Sequence, residues 1–340
     1  MRQYEKPQTM TPETIQLPLP ELTKLVTAAL TSLGLSKSER QIVGDVLLWA
    51  ELRGNSQGLG KIPARAVAPN PDAGEIVITR KSSVVTQIDG NLNLGMVVMD
   101  RAVDEAVRSA RNHGIGIVGT RGTATSTGAI GYFAERAAEL GFVCILFGGT
   151  PKAVAPFGSV DAIFGTNPLS FAIPTPDGPL LVDMGTSAAT WFGLLQSERL
   201  GESIPSGLAF DAEGMETTDP GKALQGAIRA FGGAKGSALA LLIEILTGPL
   251  AGGAIAGDAV HQSGNVIIAL DPDLFGFGTD FAARTSSLID RIRNSRPVKG
   301  SDRPHIPGER SRQVFEQTTR RDRIELDKSL FDDIRAIAGE

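Results

Sequence analysis

Residues 148–187 read GGTPKAVAPFGSVDAIFGTNPLSFAIPTPDGPLLVDMGTS. Glycine, proline, threonine and asparagine crowd the first half, between the apolar runs FVCILF (142–147) and LLV (180–182). Such residues specify backbone shape: glycine admits positive φ or the close approach of another group, and proline holds φ near about −65°. Exposed N–H groups in glycine-rich turns make concave cradles for anions, phosphate among them. The same composition also serves as plain punctuation between strands.

Upstream, 142–147 reads as a strand, preceded by a helix that begins after residues 125–128 and ends near Leu140. Residues 116–119 read as another strand. Met99, Val103, Ala106, Val107 and Ala110 recur at helical spacing, with Arg101, Asp104 and Arg108 elsewhere on the surface. Gly114 is the natural stop of that helix. Two strands, 75–78 and 83–88, come before it. Near the start, 19–33 reads as a helix ended by Gly34, and Ser36 with Glu39 forms an S-x-x-E capping box for a second helix reaching Trp49 and Leu52. Residues 1–16 read as a flexible polar tail.

Downstream, 188–195 reads as a short helix. Residues 238–246 are apolar all round, which predicts a helix buried on every side. The last clear strand is 265–271. Residues 297–312 form a basic segment with Pro and Gly, and a charged helix closes the chain at about 325–338. Alternating strands and helices predict an α/β fold. No internal repeat is visible.

The 340 residues carry a net charge of −5 and are 41% hydrophobic, with a mean hydropathy of +0.01. That is the composition of a soluble globular protein with a large core. No basic face suggests a nucleic-acid partner, and the most apolar window falls far short of the ~18 residues a membrane helix needs. A single cysteine, Cys144, excludes a disulfide framework. With no signal-peptide pattern at the N-terminus, a cytoplasmic location is expected. Three scattered histidines give no zinc spacing: His113 stands at a helix end, and His261 and His305 in loop-like contexts. Trp191 reads as core.

Two familiar phosphate motifs fail on context. Gly114, Gly116 and Gly119 spell G-x-G-x-x-G, but they follow a helix and run into a strand, the reverse of a Rossmann site. GGAKGS places Gly236, not Ser or Thr, after Lys235.

The central stretch resembles the signature of the type-2 malate/L-lactate dehydrogenase family, through VAPFG (154–158), FGTNPLSFAIPTP (164–176) and LLVDMGTS (180–187). Further similar stretches are AELRGNSQGLGKIP (50–63), TSTGAIGYF (125–133), GLAFDAEGMETTDP (207–220), GGAKGSALALLIEILTGPLAG (232–252) and IPGERS (306–311). They stand in the family's order over roughly residues 18–312. The resemblance implies a homodimeric oxidoreductase using NAD or NADP on a small carboxylate, with a non-Rossmann α/β fold, a mixed sheet and an N-terminal helical region. Family members include ureidoglycolate, sulfolactate and ketimine-reducing enzymes. It also implies a helical, substrate-side region over 17–110 packing with 265–340, and a cofactor domain over 111–264.

Residue by residue, the resemblance puts the cofactor against Thr150, Pro156, Gly165, Thr166, Asn167 and Pro168. Asp183, Met184 and Gly185 form the turn lining the nicotinamide, and Lys235 can attract phosphate oxygens, though a solvated surface lysine is the plainer alternative. The substrate side departs from the family. Most members carry S-H-G where Ser56, Gln57 and Gly58 stand, and a histidine where Ser126 stands; Lys61 occupies a family arginine position. Ser56, Arg65 and Thr127 complete the expected substrate set; Arg65 shares a face with Lys61 if both lie on one helical turn, with a plain surface charge as the default alternative.

Hydride reduction of a ketone makes an alkoxide that must be protonated, and a positioned acid contributes ~10²–10⁴-fold. Neither Gln57 nor Ser126 titrates near neutrality, so the proton comes from water or from another group, with Lys61, Tyr132 and Asp183 the candidate side chains. A ketimine enters already protonated and escapes the requirement. Three readings stay open: a 2-oxo/2-hydroxy carboxylate dehydrogenase, a ketimine reductase, and a nucleotide-binding relative without turnover.

Overall fold

The structure is a computed structural model and describes residues 13–258, 263–300 and 303–340. Strand β1 (Thr14–Pro18) begins within the stretch expected as a tail. It runs directly into helices α1 (Leu19–Ser32) and α2 (Lys37–Glu51). The capping box of α2 is present: Ser36 Oγ accepts from the Glu39 N–H at 3.4 Å, and the Glu39 carboxylate accepts from the Ser36 N–H at 2.7 Å. Satisfying these otherwise unpaired donors is worth about 1 kcal/mol.

Next come β2 (Val77–Arg80), β3 (Val85–Asn93), α3 (Gly95–His113), β4 (Ile115–Thr123), α4 (Ile130–Glu139) and β5 (Val143–Gly148). Gly114, at φ 80°, caps α3 in the left-handed conformation, and Gly116 lies inside β4 over the Ala106 carbonyl. The G-x-G-x-x-G match is therefore a helix stop and a close helix–strand packing. The central stretch folds into β6 (Lys152–Ala155), β7 (Phe164–Gly165), β8 (Leu169–Ile173) and β9 (Leu180–Met184). After it stand α5 (Trp191–Leu200), β10 (Ala209–Phe210), β11 (Glu216–Thr217), α6 (Pro220–Gln225), β12 (Ala227–Arg229) and α7 (Ala234–Ile245). The chain closes with β13 (Ser263–Leu270), α8 (Gly278–Arg293), α9 (Glu309–Arg321), β14 (Arg323–Asp327) and α10 (Lys328–Ala338).

The main sheet has the order β2-β3-β4-β13-β5-β8-β9. Only β3–β4 is parallel; the other pairs are antiparallel. A second sheet runs β11-β10-β12-β6-β7, and β1 pairs with β14. This is a mixed α/β architecture without a Rossmann run of parallel strands. One large core joins the main sheet to α1–α4 and α10; a smaller one, around Val154, Phe164, Leu194, Ala209 and Ile228, underlies the second sheet. Because β3 pairs with β4 and β13 lies between β4 and β5, the main sheet crosses the divisions expected at 110/111 and 264/265.

Two sequence expectations are corrected. Helix α7 is not buried on every side: Leu241, Leu242 and Ile245 are each 48% exposed, while Ala240 and Ile243 face inward. A helix with no polar stripe carries no signal for which side meets the core. The last strand is β14, not 265–271, and its pairing with β1 confines the final helix to 328–338. His261 lies outside the described residues. Among those described, no helix is long and apolar enough to cross a membrane.

Candidate active site

The FGTNP turn is built by the threonines and asparagine that flagged it. Thr150 Oγ1 lies 3.1 Å from Thr166 Oγ1, and Thr186 Oγ1 donates to the Thr166 and Asn167 carbonyls at 3.0 and 3.1 Å. Asn167 is fully buried at φ 33°, a conformation asparagine tolerates better than most residues. Its amide donates to Glu244 at 2.7 Å, while its Oδ1 has no partner. Gly165 is required: a Cβ there would fall inside contact distance of the Thr150 carbonyl. Pro168 accepts from the Gly148 N–H at 2.9 Å, tying β8 to the end of β5. Thr150, Gly165, Thr166, Asn167 and Pro168 thus form one knot, with Gly185 packed against the Thr166 carbonyl.

Asp183 stands in β9, and its Oδ2 accepts from the Gly131 N–H at 3.1 Å. No side chain of α4's own caps that helix; Asp183 does so from the neighbouring strand. Burial pushes its carboxyl up to about 6, against the opposing pull of the Gly131 N–H. Met184, next in line, is 38% exposed.

The substrate turn follows α2. Glu51 Oε2 accepts from the Leu59 N–H at 2.8 Å, and a Cβ at Gly58 would collide with that carboxylate. Burial pushes the Glu51 carboxyl up, partly offset by the Leu59 bond and by Arg199. The single 3-10 turn Leu59–Lys61 results, and it aims Lys61 inward. Lys61 is 1% exposed, its Nζ has no hydrogen-bond partner among the described residues, and it lies 3.7 Å from the centroid of the Phe192 ring. Burial pushes its ammonium down to about 7. A lysine shifted that far exchanges its proton at neutral pH, which an exposed lysine does not.

The structure joins this turn to the segment after β9. Ser56 Oγ lies 3.3 Å from Thr190 Oγ1, and Lys61 meets Phe192. Ser126 donates its backbone N–H to the Ala66 carbonyl at 3.1 Å, so the 125–128 loop borders the same region; its Oγ accepts from the Gly128 N–H. Gln57 and Thr127 are half-buried there. Arg65 is not beside Lys61: at φ 52° it leaves the helical turn and is exposed. Tyr132 packs edge-on against Trp49 and Phe133, and burial with Asp45 and Asp100 raises its hydroxyl pKa, making it a poorer acid.

A nicotinamide nucleotide fits the other end. Helix α7 starts at Gly233 with no side-chain cap, so its first N–H groups are free for an anion. Lys235 is exposed there with no acidic partner among the described residues. Phe157, 69% exposed, lies against Gly233, next to half-buried Pro156. Among the described residues no cluster of three or more His, Cys, Asp and Glu could hold a metal.

Sequence reasoning missed Phe192, Thr190, Glu51 and Glu244. Thr190 carried a signal, since Thr before W-F-G can cap a helix; its Oγ1 accepts from the Gly193 N–H at 3.0 Å. Phe192 carried none, because its partner Lys61 lies far along the chain.

Comparison with known proteins gives the family and the fold. The sequence profile described as malate/L-lactate dehydrogenase matches residues 17–335. The L-sulfolactate dehydrogenase of Methanocaldococcus jannaschii is 35% identical over 334 residues, covering 93% of this chain and 94% of that protein. The Delta(1)-pyrroline-2-carboxylate reductase 1 of Burkholderia ambifaria is 31% identical over 289 residues, covering 77% and 81%. A solved dehydrogenase from Sinorhizobium meliloti superposes with a TM-score of 0.89 at 32% identity, covering 96% and 98%.

Proposed function

The chain belongs to the malate/L-lactate dehydrogenase family and is an oxidoreductase; from that premise we propose that it reduces a small 2-oxo carboxylate, with Lys61 as the proton donor. The observation that carries the reading is the Lys61 ammonium, buried against the Phe192 ring of the post-β9 segment and without a hydrogen-bond partner among the described residues. Bound NAD or NADP would supply the hydride, or accept it in the reverse reaction. Thr150, Thr166, Met184, Gly185 and Lys235 would hold the nucleotide.

Ser56, Gln57, Ser126 and Thr127 offer hydrogen bonds that orient the carboxylate and the carbonyl. As the second carbon receives the hydride, its oxygen takes a proton from Lys61 Nζ, leaving a neutral amine and a 2-hydroxy acid. In oxidation the neutral amine takes the hydroxyl proton back. Reduction therefore needs the charged lysine and fails as pH rises through about 7, whereas oxidation needs the neutral form and gains over the same range.

A ketimine reading is supported by Gln57 and Ser126, which hydrogen-bond but do not titrate, and by the likeness to a pyrroline-2-carboxylate reductase. The exposed Leu241, Leu242 and Ile245 face of α7 supports a homodimer, which sedimentation would check. The deciding experiment follows NADH and NADPH oxidation with pyruvate, oxaloacetate, sulfopyruvate and piperideine-2-carboxylate. Turnover of one of the three ketoacids, with the stated pH limb, is expected. Turnover of the cyclic imine alone would replace the ketone reading.

A further inference from the structure

We propose that Phe192 is the positioning residue for the Lys61 ammonium, its ring closing one side of the cation so that the N–H groups are left for a ligand oxygen. The inference rests on the reading of Lys61 as proton donor. The ring lies 3.7 Å from Nζ, well inside cation–π range. Its place is fixed from both sides. Thr190 caps α5 through the Gly193 N–H, and Ser56 Oγ approaches Thr190 Oγ1 at 3.3 Å, so the first turn of α5 is pinned to the substrate turn. No oxygen of the described residues hydrogen-bonds Nζ. An ammonium has three donors, and a π face satisfies only the side it covers.

The charged groups on the packed elements do not take over this task. Glu51 of α2 is engaged with the Leu59 N–H, and Arg199 of α5 acts on Glu51 and pairs with Asp327 at 3.2 Å. Asp183 of β9 is engaged with Gly131, and Arg65 points to solvent. Burial lowers the proton affinity of Lys61, so what covers the amine decides its protonation.

The ring acts in two opposing ways. It keeps water out, which disfavours charge, and it offers its negative face, which favours charge. Two substitutions separate them. Phe192→Leu keeps the cover and loses the face, so Lys61 titrates lower by about one pH unit. Phe192→Ala admits water, so Lys61 titrates higher. Phe192→Tyr restores the wild-type value.

The readout is the Cε resonance of Lys61 in the full chain labelled with [ε-13C]lysine, assigned by its loss in Lys61→Met and titrated without cofactor. The limb of kcat/KM for reduction is measured in parallel. Opposite shifts in the Leu and Ala proteins, with recovery in Tyr, are expected. Equal or same-direction shifts overturn the proposal. Should the Ala protein fail to fold, the Leu–Tyr pair decides: no fall in Leu, or no recovery in Tyr, overturns it. Opposite shifts without turnover on any substrate would refute the functional reading while leaving the placement of Phe192 standing.

Discussion

Replacing Lys61 by methionine should make the protein more stable and nearly inactive, and the stability gain should depend on pH in a defined way. The folded protein holds this amine at about 7 instead of the ordinary 10.5. Below pH 7 the charged lysine therefore costs on the order of 5 kcal/mol of folding free energy, at about 1.4 kcal/mol for each tenfold change in proton affinity. The sign follows from proton counting. Between pH 7 and 10.5 the unfolded chain binds a proton the folded chain does not, so wild-type stability rises with pH there. The cost is complete below 7 and gone above 10.5. Methionine fills similar volume and carries no such cost, and the attraction of the charge to the Phe192 ring is already contained in the folded-state value. Urea unfolding at pH 6 should then favour Lys61→Met by several kcal/mol, at most about 5. The advantage should shrink by about 1.4 kcal/mol per pH unit above 7. Ketoacid reduction should fall by ~10²–10⁴-fold. A stability difference that is flat from pH 6 to 9, or a loss of stability at pH 6, would refute the placement of a charged, buried amine at this site.

Adding Gln57→His to the Lys61→Met protein supplies an imidazole at the family's usual position and should return ketoacid reduction by at least about tenfold; steady-state rates at pH 6.5 check this, and an absent gain with imine turnover intact points to ketimine chemistry. Lys235→Ala removes an exposed charge at the start of α7 and should weaken NADH or NADPH binding by about tenfold without altering stability, read by fluorescence titration and urea unfolding. Gly165→Ala drives a Cβ into the Thr150 carbonyl and should destabilise the FGTNP turn by about 2–3 kcal/mol, lowering nucleotide affinity with it.

Much of this was legible in the sequence where the determinant is local. The Ser36–Glu39 box, the Gly114 stop and the strand over 142–147 depend on neighbours within a few residues, and they fold as read. The clustering of the SQGLGK turn with the segment after DMGTS was available only through family resemblance. What stayed hidden needed a partner far along the chain. Asp183 caps α4 from another strand, and Phe192 reaches Lys61 from the first turn of α5. Of the two readings of Arg65, the exposed surface charge holds; the turn that takes it off the helical face, at φ 52°, leaves no mark in a sequence. The uniformly apolar α7 offered no direction to read.

Strand β13 lies between β4 and β5, yet the Asn265–Thr120 bond that joins it to β4 spans 145 positions. During synthesis both flanking strands leave the ribosome with their shared neighbour still unmade. At about 5–20 residues per second, the vacancy between them lasts on the order of ten seconds. Two open ladder edges rich in Ile, Val and Leu are then available to any other chain nearby. Yield in cells should accordingly depend on holdase chaperones and on translation speed through the segment encoding residues 149–270, more than on the stability of the finished sheet.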